Sequence, residues 1–405
     1  MSPAPVSLVL SGIGGMGAVY LKALLDAWDG GLFRLEGTVD PVPERSPHLA
    51  RLKELHVPVY PDLESFYLRH EAELAIISSP IQFHAPQTRL ALERGSRVLC
   101  EKPAAATVQE IRDMIEARDR AGLWVAVGFQ WSSSDAVQAL KTDIRRGRFG
   151  AAKRMRCLYT WPRDFAYYGR NDWAGKRRDA AGAWILDSPA NNAMAHDLHN
   201  IFYVLGREVD GCALPIELEA ELYRAYDIDN FDTAAVRIRL EGGAAALFLV
   251  SHVSRTDAGP ILRYEFERGE VTAHGRKSDL LASFSDGGAR NYGAPDADPL
   301  KKLWDAIAAV HTGAAPVCGL EAVLGQALAI DGMQDAAPGI VEFPKALVRF
   351  EPSPAGGRRW VEGLDDAFSR CHEEGKLPSE IGAPWSRPAG RIDLRGYRQF
   401  PSRPG

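Results

Sequence analysis

An apolar run that empties into three glycines constrains this chain more than any other stretch. Residues 6–20 read Val-Ser-Leu-Val-Leu-Ser-Gly-Ile-Gly-Gly-Met-Gly-Ala-Val-Tyr, with Gly12, Gly14 and Gly17 in G-x-G-x-x-G spacing and Leu21, Leu24 and Leu25 beyond them. Strand, tight turn and helix are therefore expected in that order, the context in which the glycine spacing has a physical meaning. Gly12 makes the turn, Gly14 lets backbone approach a pyrophosphate, and Gly17 lets the helix close on the strand, with the helix N-terminus facing the negative charge. In a chain of 38 glycines the bare spacing carries little. In register with strand and helix it marks a dinucleotide site lined by Gly12, Ile13, Gly14, Gly15, Met16 and Gly17.

A second strand, Leu35–Asp40, ends in an acid at the distance where such folds bind the adenosine ribose hydroxyls. A carboxylate there repels a 2′-phosphate, so Asp40 favours NAD over NADP, while Arg45 keeps NADP as the minor option. Leu74–Ile77 is a continuous apolar strand of the kind buried on both faces of a parallel sheet. Ser79-Pro80 breaks it at its carboxyl end, and His84 follows in a loop or first turn. Arg97–Cys100 is another strand, delivering Glu101-Lys102-Pro103. A helix over 108–121 then leads to the strand 123–129 and Gln130. Strand and helix alternate throughout, which describes an α/β, doubly wound parallel sheet over residues 1–130. Ser79, Pro80, His84, Glu101, Lys102 and Gln130 join the glycine turn as candidate cofactor contacts at the carboxyl ends of its strands.

Beyond Gln130 the texture changes. A helix over 136–146 precedes strands at 152–161, 216–226, 234–240, 244–253 and 262–267, with Gly242-Gly243 as a hairpin turn. Strands without intervening helices imply an α+β second domain with a mainly antiparallel sheet, over residues 131–352. Helices return at 300–311 and 320–336. From Ser353 proline, glycine and arginine become frequent, so 353–405 is expected as a partly irregular extension, with the tail from Pro384 irregular and wrapping the body or a partner subunit.

The 405 residues carry a net charge of −5, with 46% hydrophobic and 25% charged residues. No basic excess exists to neutralise phosphates, which argues against nucleic acid as the partner. The basic run Lys176-Arg177-Arg178 reads as a solvated loop unless it meets an anionic substrate. Five scattered cysteines fit a reducing compartment and provide neither a zinc framework nor disulfides. No signal-peptide pattern and no membrane-length apolar stretch is present, so a cytoplasmic location is expected.

Two clusters carry residues fit for chemistry. Lys102, at a strand end, is placed for partial desolvation, which brings an amine toward acid–base work. Pro103 keeps its backbone extended, and Glu101 can hold the ammonium or a ribose; a surface Glu–Lys pair is the plainer alternative. The second cluster runs from Asp187 to Gly206. Ser188-Pro189 starts a helix and Gly206 ends it, so Asn192, His196 and His199 share one face. A histidine moves protons near neutral pH and an amide fixes its tautomer. A histidine pair satisfied in a core, or a metal site, are the competing readings; no metal is called for. In the loop 167–176, Tyr168, Asn171, Asp172 and Trp173 suit a polyhydroxylated ligand, by stacking and hydrogen bonds.

In order and spacing these motifs resemble the Gfo/Idh/MocA oxidoreductases, from the glycine turn to about Pro344. The resemblance implies an N-terminal Rossmann domain and a C-terminal domain with a large open sheet through which homodimers or homotetramers form. It also implies NAD(P)-linked oxidation or reduction of a sugar or polyol. Lys102 matches the family's catalytic lysine. Gly206 sets the register that matches His196 to the catalytic histidine. Asn192 stands where the family usually has aspartate, and His199 where an acid is frequent. The expected chemistry is hydride transfer between a secondary hydroxyl carbon and the nicotinamide. Lys102 and His196 would handle the proton, Asn192 and His199 would orient, and Lys102, Asn192 and His196 would also touch substrate. An NAD-dependent glycosidase using transient oxidation, and a non-enzymatic NAD- or sugar-responsive regulator, are the alternatives.

Overall fold

The computed structural model describes residues 4–402 apart from 338 and 355. The chain forms two compact units, Met1–Ser133 with Asp298–Val323, and Ser134–Ala297 with Leu324–Gly405. This division departs from the expected 1–130, 131–352 and 353–405 in two ways. Residues 298–323 return to the first unit, and the tail is integral to the second.

In the first unit, β1 (Val6–Ser11), β2 (Phe33–Val39), β3 (Val59–Tyr60), β4 (Leu74–Ile77), β5 (Arg97–Cys100) and β6 (Val125–Val127) form one sheet in the order β3-β2-β1-β4-β5-β6. Every pairing is parallel. The chain leaves β1 toward β2 and β3, then resumes on the other side with β4, so the glycine turn after β1 lies at the switch point of the strand order. All four residues of β4 are buried, as apolar runs covered on both faces must be. Tyr20, Leu21 and Leu24 of the helix Gly15–Asp26 share a core with Leu8, Leu10, Leu74 and Ile76. Leu303, Ala306 and Ile307 of the helix Lys301–Thr312 join the same core, which is why this late segment belongs here. The helix Val108–Ala121 carries the Thr107–Glu110 capping box and ends on Gly122 in the left-handed region.

The second unit holds β7 (Ala152–Thr160), β8 (Pro215–Arg224), β9 (Thr233–Leu240), β10 (Ala245–Ser251), β11 (Ala258–Phe266), β12 (Gly269–His274), β13 (Leu281–Phe284), β14 (Ala289–Asn291) and β15 (Val341–Glu342). Their order is β14-β13-β12-β11-β7-β10-β9-β8-β15, antiparallel except for β7–β10 and β8–β15. Helices Ala195–Tyr203 and Leu324–Ala336 pack against β7 and β8. The tail, in its described residues, combines regular elements with irregular stretches. It forms the hairpin β16 (Val348–Glu351) and β17 (Arg358–Val361), the helix Leu364–Glu374, and β18 (Gly390–Asp393) on the edge of β8.

Strand side chains alternate between sheet faces. Leu247 and Leu249 of β10, with Leu158, Tyr223 and Ala235, form a core with Phe343, Leu364, Phe368 and Trp385. That face of the sheet is therefore covered by residues of the same chain. Among the described residues no helix is long and apolar enough to cross a membrane.

Candidate active site

The glycine turn contains two kinds of glycine. Gly12 has φ +82°, and a Cβ there would lie 2.5 Å from the Ser78 carbonyl oxygen. A Cβ on Gly17 would lie 1.9 Å from the Gly12 oxygen. Both positions are bare because backbone meets backbone. Around Gly14 and Gly15 a Cβ would meet nothing within 4 Å. Gly14 is also the N-cap of the helix Gly15–Asp26 and no side chain caps it among the described residues, so the first helical amides are left for an outside acceptor. A room-making glycine beneath an uncapped helix start fits a dinucleotide's pyrophosphate. Asp40, just past β2, accepts the Ile13 N–H at 3.1 Å and the Val42 N–H at 2.9 Å, which fixes its half-exposed carboxylate beside the turn.

At the ends of β4 and β5 several candidates are occupied internally. His84 is buried, with Nδ1 2.7 Å from the Pro103 oxygen and Nε2 2.7 Å from the Ser79 oxygen. Burial pulls its pKa down, while the two carbonyls and Glu101 oppose that shift. The ring thus ties the β4 end to the β5 end and offers neither nitrogen to a dinucleotide. The Ser79 hydroxyl donates to Gln87, as does Ser11. Pro80 is exposed, and Gln130 opens the short helix Gln130–Ser133.

Glu101 is 6% exposed and paired with Lys302, itself 4% exposed, and it also accepts the Tyr20 hydroxyl. Lys302 donates in addition to the Gly128 oxygen at 2.7 Å. Burial alone would raise the Glu101 pKa; the Lys302 ammonium, aided by Tyr20 and Lys102, holds it below the usual carboxylate range. The Lys102 N–H donates to the other Glu101 oxygen at 3.2 Å, so the backbone of the half-buried Lys102 is anchored to this pair. Neither Tyr20 nor Lys302 was a sequence candidate. The available signal was a lysine on the apolar stripe of the 300–311 helix, one turn before Ala306.

In the second unit the expected single helix is broken. The Ser188 hydroxyl accepts the Asn191 N–H at 3.2 Å and Pro189 comes next, as the cap predicts. Pro189–Ala193 is, however, a π turn, closed by Met194 N–H on the Pro189 oxygen at 2.8 Å, and the α-helix Ala195–Tyr203 starts anew. The extra residue of an i→i+5 turn rotates the downstream helix about its axis, so Asn192 does not share a helix face with His196 and His199. Asn192 Nδ2 donates instead to Asp187 Oδ1 at 2.8 Å, and Asp187 Oδ2 accepts the Gly175 N–H at 2.6 Å. A carboxylate, that of Asp187, thus lies in direct hydrogen-bond contact with the Asn192 amide.

The two histidines also part company. His196 is half-buried, whereas His199 is fully buried with its ring stacked 5.3 Å from Tyr203. Burial, with the nearby Lys141, lowers the His199 pKa to about 3, so it is a neutral core histidine rather than an orienting group for substrate. Asp197, which the sequence did not single out, is 2% exposed, and its Oδ1 meets no hydrogen-bond partner among the described residues. Burial, with Asp296 adding and Arg276 opposing, raises its pKa to about 8, so it holds a proton at neutral pH.

The aromatic loop divides in the same way. The Tyr168 hydroxyl meets His252 Nδ1 at 3.0 Å and its ring packs 4.8 Å from Tyr226, facing the interior. Asn171 Oδ1 accepts the N–H groups of Trp173 and Ala174, shaping the loop. Asp172 is exposed, and Trp173 is half-buried with the Arg170 guanidinium 5.1 Å from the centroid of its ring.

Residues 6–129 match a family model described as the Gfo/Idh/MocA oxidoreductase family, NAD-binding Rossmann fold. A 1,5-anhydro-D-fructose reductase from Ensifer adhaerens is 29% identical over 36% of this chain and 38% of its own length. An inositol 2-dehydrogenase from Pseudomonas fluorescens is 27% identical over 39% of this chain and 47% of its own. The chain thus spans less than half the length of these curated relatives. The WlbA dehydrogenase from Bordetella pertussis, solved with NADH and UDP-GlcNAcA, shares the fold with a TM-score of 0.67 at 21% identity, over 80% of this chain and 94% of its own. The matched segment, residues 6–129, is the part of the chain built around the glycine turn and Asp40, and it is this part that is similar to the NAD-binding Rossmann fold of the Gfo/Idh/MocA oxidoreductases.

Proposed function

We propose that the protein is an oxidoreductase that moves a hydride between a secondary hydroxyl carbon of a sugar or polyol and NAD. The observation that carries this is the cradle at Gly14 and Gly15, uncapped and roomy, with Asp40 fixed beside it. The Asp40 carboxylate favours ribose hydroxyls over a 2′-phosphate, hence NAD over NADP. Bound there, the dinucleotide would supply the hydride acceptor.

The chain's own residues would do the rest. Glu101, neutralised by Lys302, would anchor Lys102, whose neutral amine would take up the hydroxyl proton, becoming the ammonium, as the hydride leaves the carbon. His196 is assigned the companion proton-transfer role. Asn192, oriented by Asp187, would hydrogen-bond a substrate hydroxyl. Asp172 and Trp173 are assigned to the same ligand, with His199 left to packing. The names of the relatives, a reductase and a dehydrogenase of sugar-like molecules, support the substrate class. Homodimers or homotetramers through the ten-stranded sheet are the assembly we propose, with residues of the 343–385 segment covering part of one sheet face.

The test is formation of the reduced nicotinamide absorbance band with NAD and a panel of sugars and polyols. Reduction with at least one of them is the expected result. Tight NAD binding with glycoside cleavage and no net reduction would instead select transient oxidation.

A further inference from the structure

We propose that the substrate carries an oxyanion, a carboxylate or a phosphate, which Arg163, Arg170 and Arg276 recognise; this rests on the proposal above that a polyhydroxylated molecule binds here. Just past β7 the Arg163 guanidinium lies 3.6 Å from the centroid of the Trp161 ring and 4.4 Å from that of Tyr167. Arg276 lies 3.9 Å from the same Trp161 ring, and Arg170 lies 3.7 Å from the same Tyr167 ring. Three guanidinium groups are thus interleaved with two aromatic rings, with Arg163 in the middle.

Their charge is under-compensated. Arg276 pairs with Asp257 and donates to the Tyr159 hydroxyl at 2.6 Å. Arg163 forms no ion pair among the described residues, and its Nε is buried without an acceptor there. Burial presses its pKa below the usual value; Tyr167 and Tyr159 oppose that shift, and the like charges of Arg170 and Arg276 add smaller contributions to it. The nearby carboxylates are committed elsewhere. Asp164 accepts the Tyr167 N–H at 2.8 Å, and Asp187 serves Gly175 and Asn192.

Three guanidiniums facing one paired carboxylate repel one another, and a buried N–H without an acceptor is costly. Aromatic faces hold the guanidinium planes in place without neutralising them. An incoming oxyanion relieves both costs at once, through the planar, two-toothed geometry that arginine offers carboxylates and phosphates. The main chain of Arg163 is pinned for this, since its N–H donates to the His252 oxygen at 2.9 Å and its own oxygen accepts the Tyr226 hydroxyl at 2.5 Å. Burial and, second to it, the Asp187 carboxylate raise the Tyr167 pKa, while Arg170 and Arg163 oppose them.

The test is calorimetric titration of the NAD-loaded full chain with panels of hexuronates, hexose phosphates and their neutral parent hexoses, alongside nicotinamide absorbance. At least one anionic class should bind at least about tenfold tighter than its neutral parent, and the class preferred names the oxyanion. Arg163→Gln should lower that preference at least about tenfold, and Arg170→Gln, at an exposed position, should lower it without risk to folding. Equal affinity for charged and neutral sugars, or a preference that survives both substitutions, would overturn the proposal. Preferential binding without nicotinamide reduction would leave the anion site standing and remove the redox assignment. Reduction by neutral sugars with no anionic preference would do the reverse.

Discussion

Replacing Lys302 by alanine strips the buried Glu101 carboxylate of its cation, and breaking one partner of a buried pair costs about 3–5 kcal/mol. Urea unfolding of Lys302→Ala should show a loss of that size, and a loss under about 1 kcal/mol would mean the pair is not what holds Glu101. Asp197 makes a second prediction, in pH. Its folded-state pKa is raised to about 8, so the native state keeps a proton that the unfolded chain has already released. Stability therefore falls as pH rises, by up to about 1.4 kcal/mol per unit from this group. His199, lowered to about 3, works in the opposite sense, since the unfolded imidazole takes up a proton below its ordinary value of about 6.5. Between about pH 6.5 and 8 the Asp197 effect stands alone of the two. Asp197→Asn should flatten the fall in urea midpoint over that window, and an unchanged slope would show that Asp197 ionises normally.

At the level of elements, the glycine turn separates folding from binding. Gly17→Ala sets a methyl 1.9 Å from the Gly12 oxygen and should unfold or reshape the first unit, whereas Gly14→Ala meets nothing within 4 Å in the protein. Gly14→Ala should melt as the parent does and yet bind NAD at least about tenfold more weakly, by calorimetry, because the added methyl stands where a pyrophosphate would lie. Equal NAD affinity would remove the dinucleotide from this turn. Elements with strong local signals were legible in the sequence: the apolar run of β4, the capped helix 108–121, and the Gly242-Gly243 hairpin between β9 and β10. The π turn at Pro189–Ala193 was not, because hydrophobic spacing and a good N-cap look alike whether the turn closes at i+4 or i+5. Short polar strands such as β13 and β14 lack the apolar alternation that would betray them. Lys302 was hidden by distance, pairing with Glu101 across 201 positions of sequence. Arg163 and Arg276 were missed for the same reason, since they meet only when β7 and the turn after β12 come together.

For the molecule as a whole, the tail decides what the second sheet can do. Truncation after residue 352 removes Leu364, Phe368 and Trp385 from Leu158, Leu247 and Leu249. Light scattering should then show self-association through the bared apolar face; a truncated chain as monodisperse as the full one would contradict the covering role of the tail. The central claim is that this chain carries out NAD-linked hydride transfer with Lys102 moving the proton. Its most direct test is nicotinamide reduction by the best substrate of the panel, measured for the parent and for Lys102→Ala, with NAD affinity determined for both. The expected result is a rate at least about 100-fold lower in the variant with NAD binding retained. Unchanged turnover in a Lys102→Ala protein that still binds NAD would contradict it.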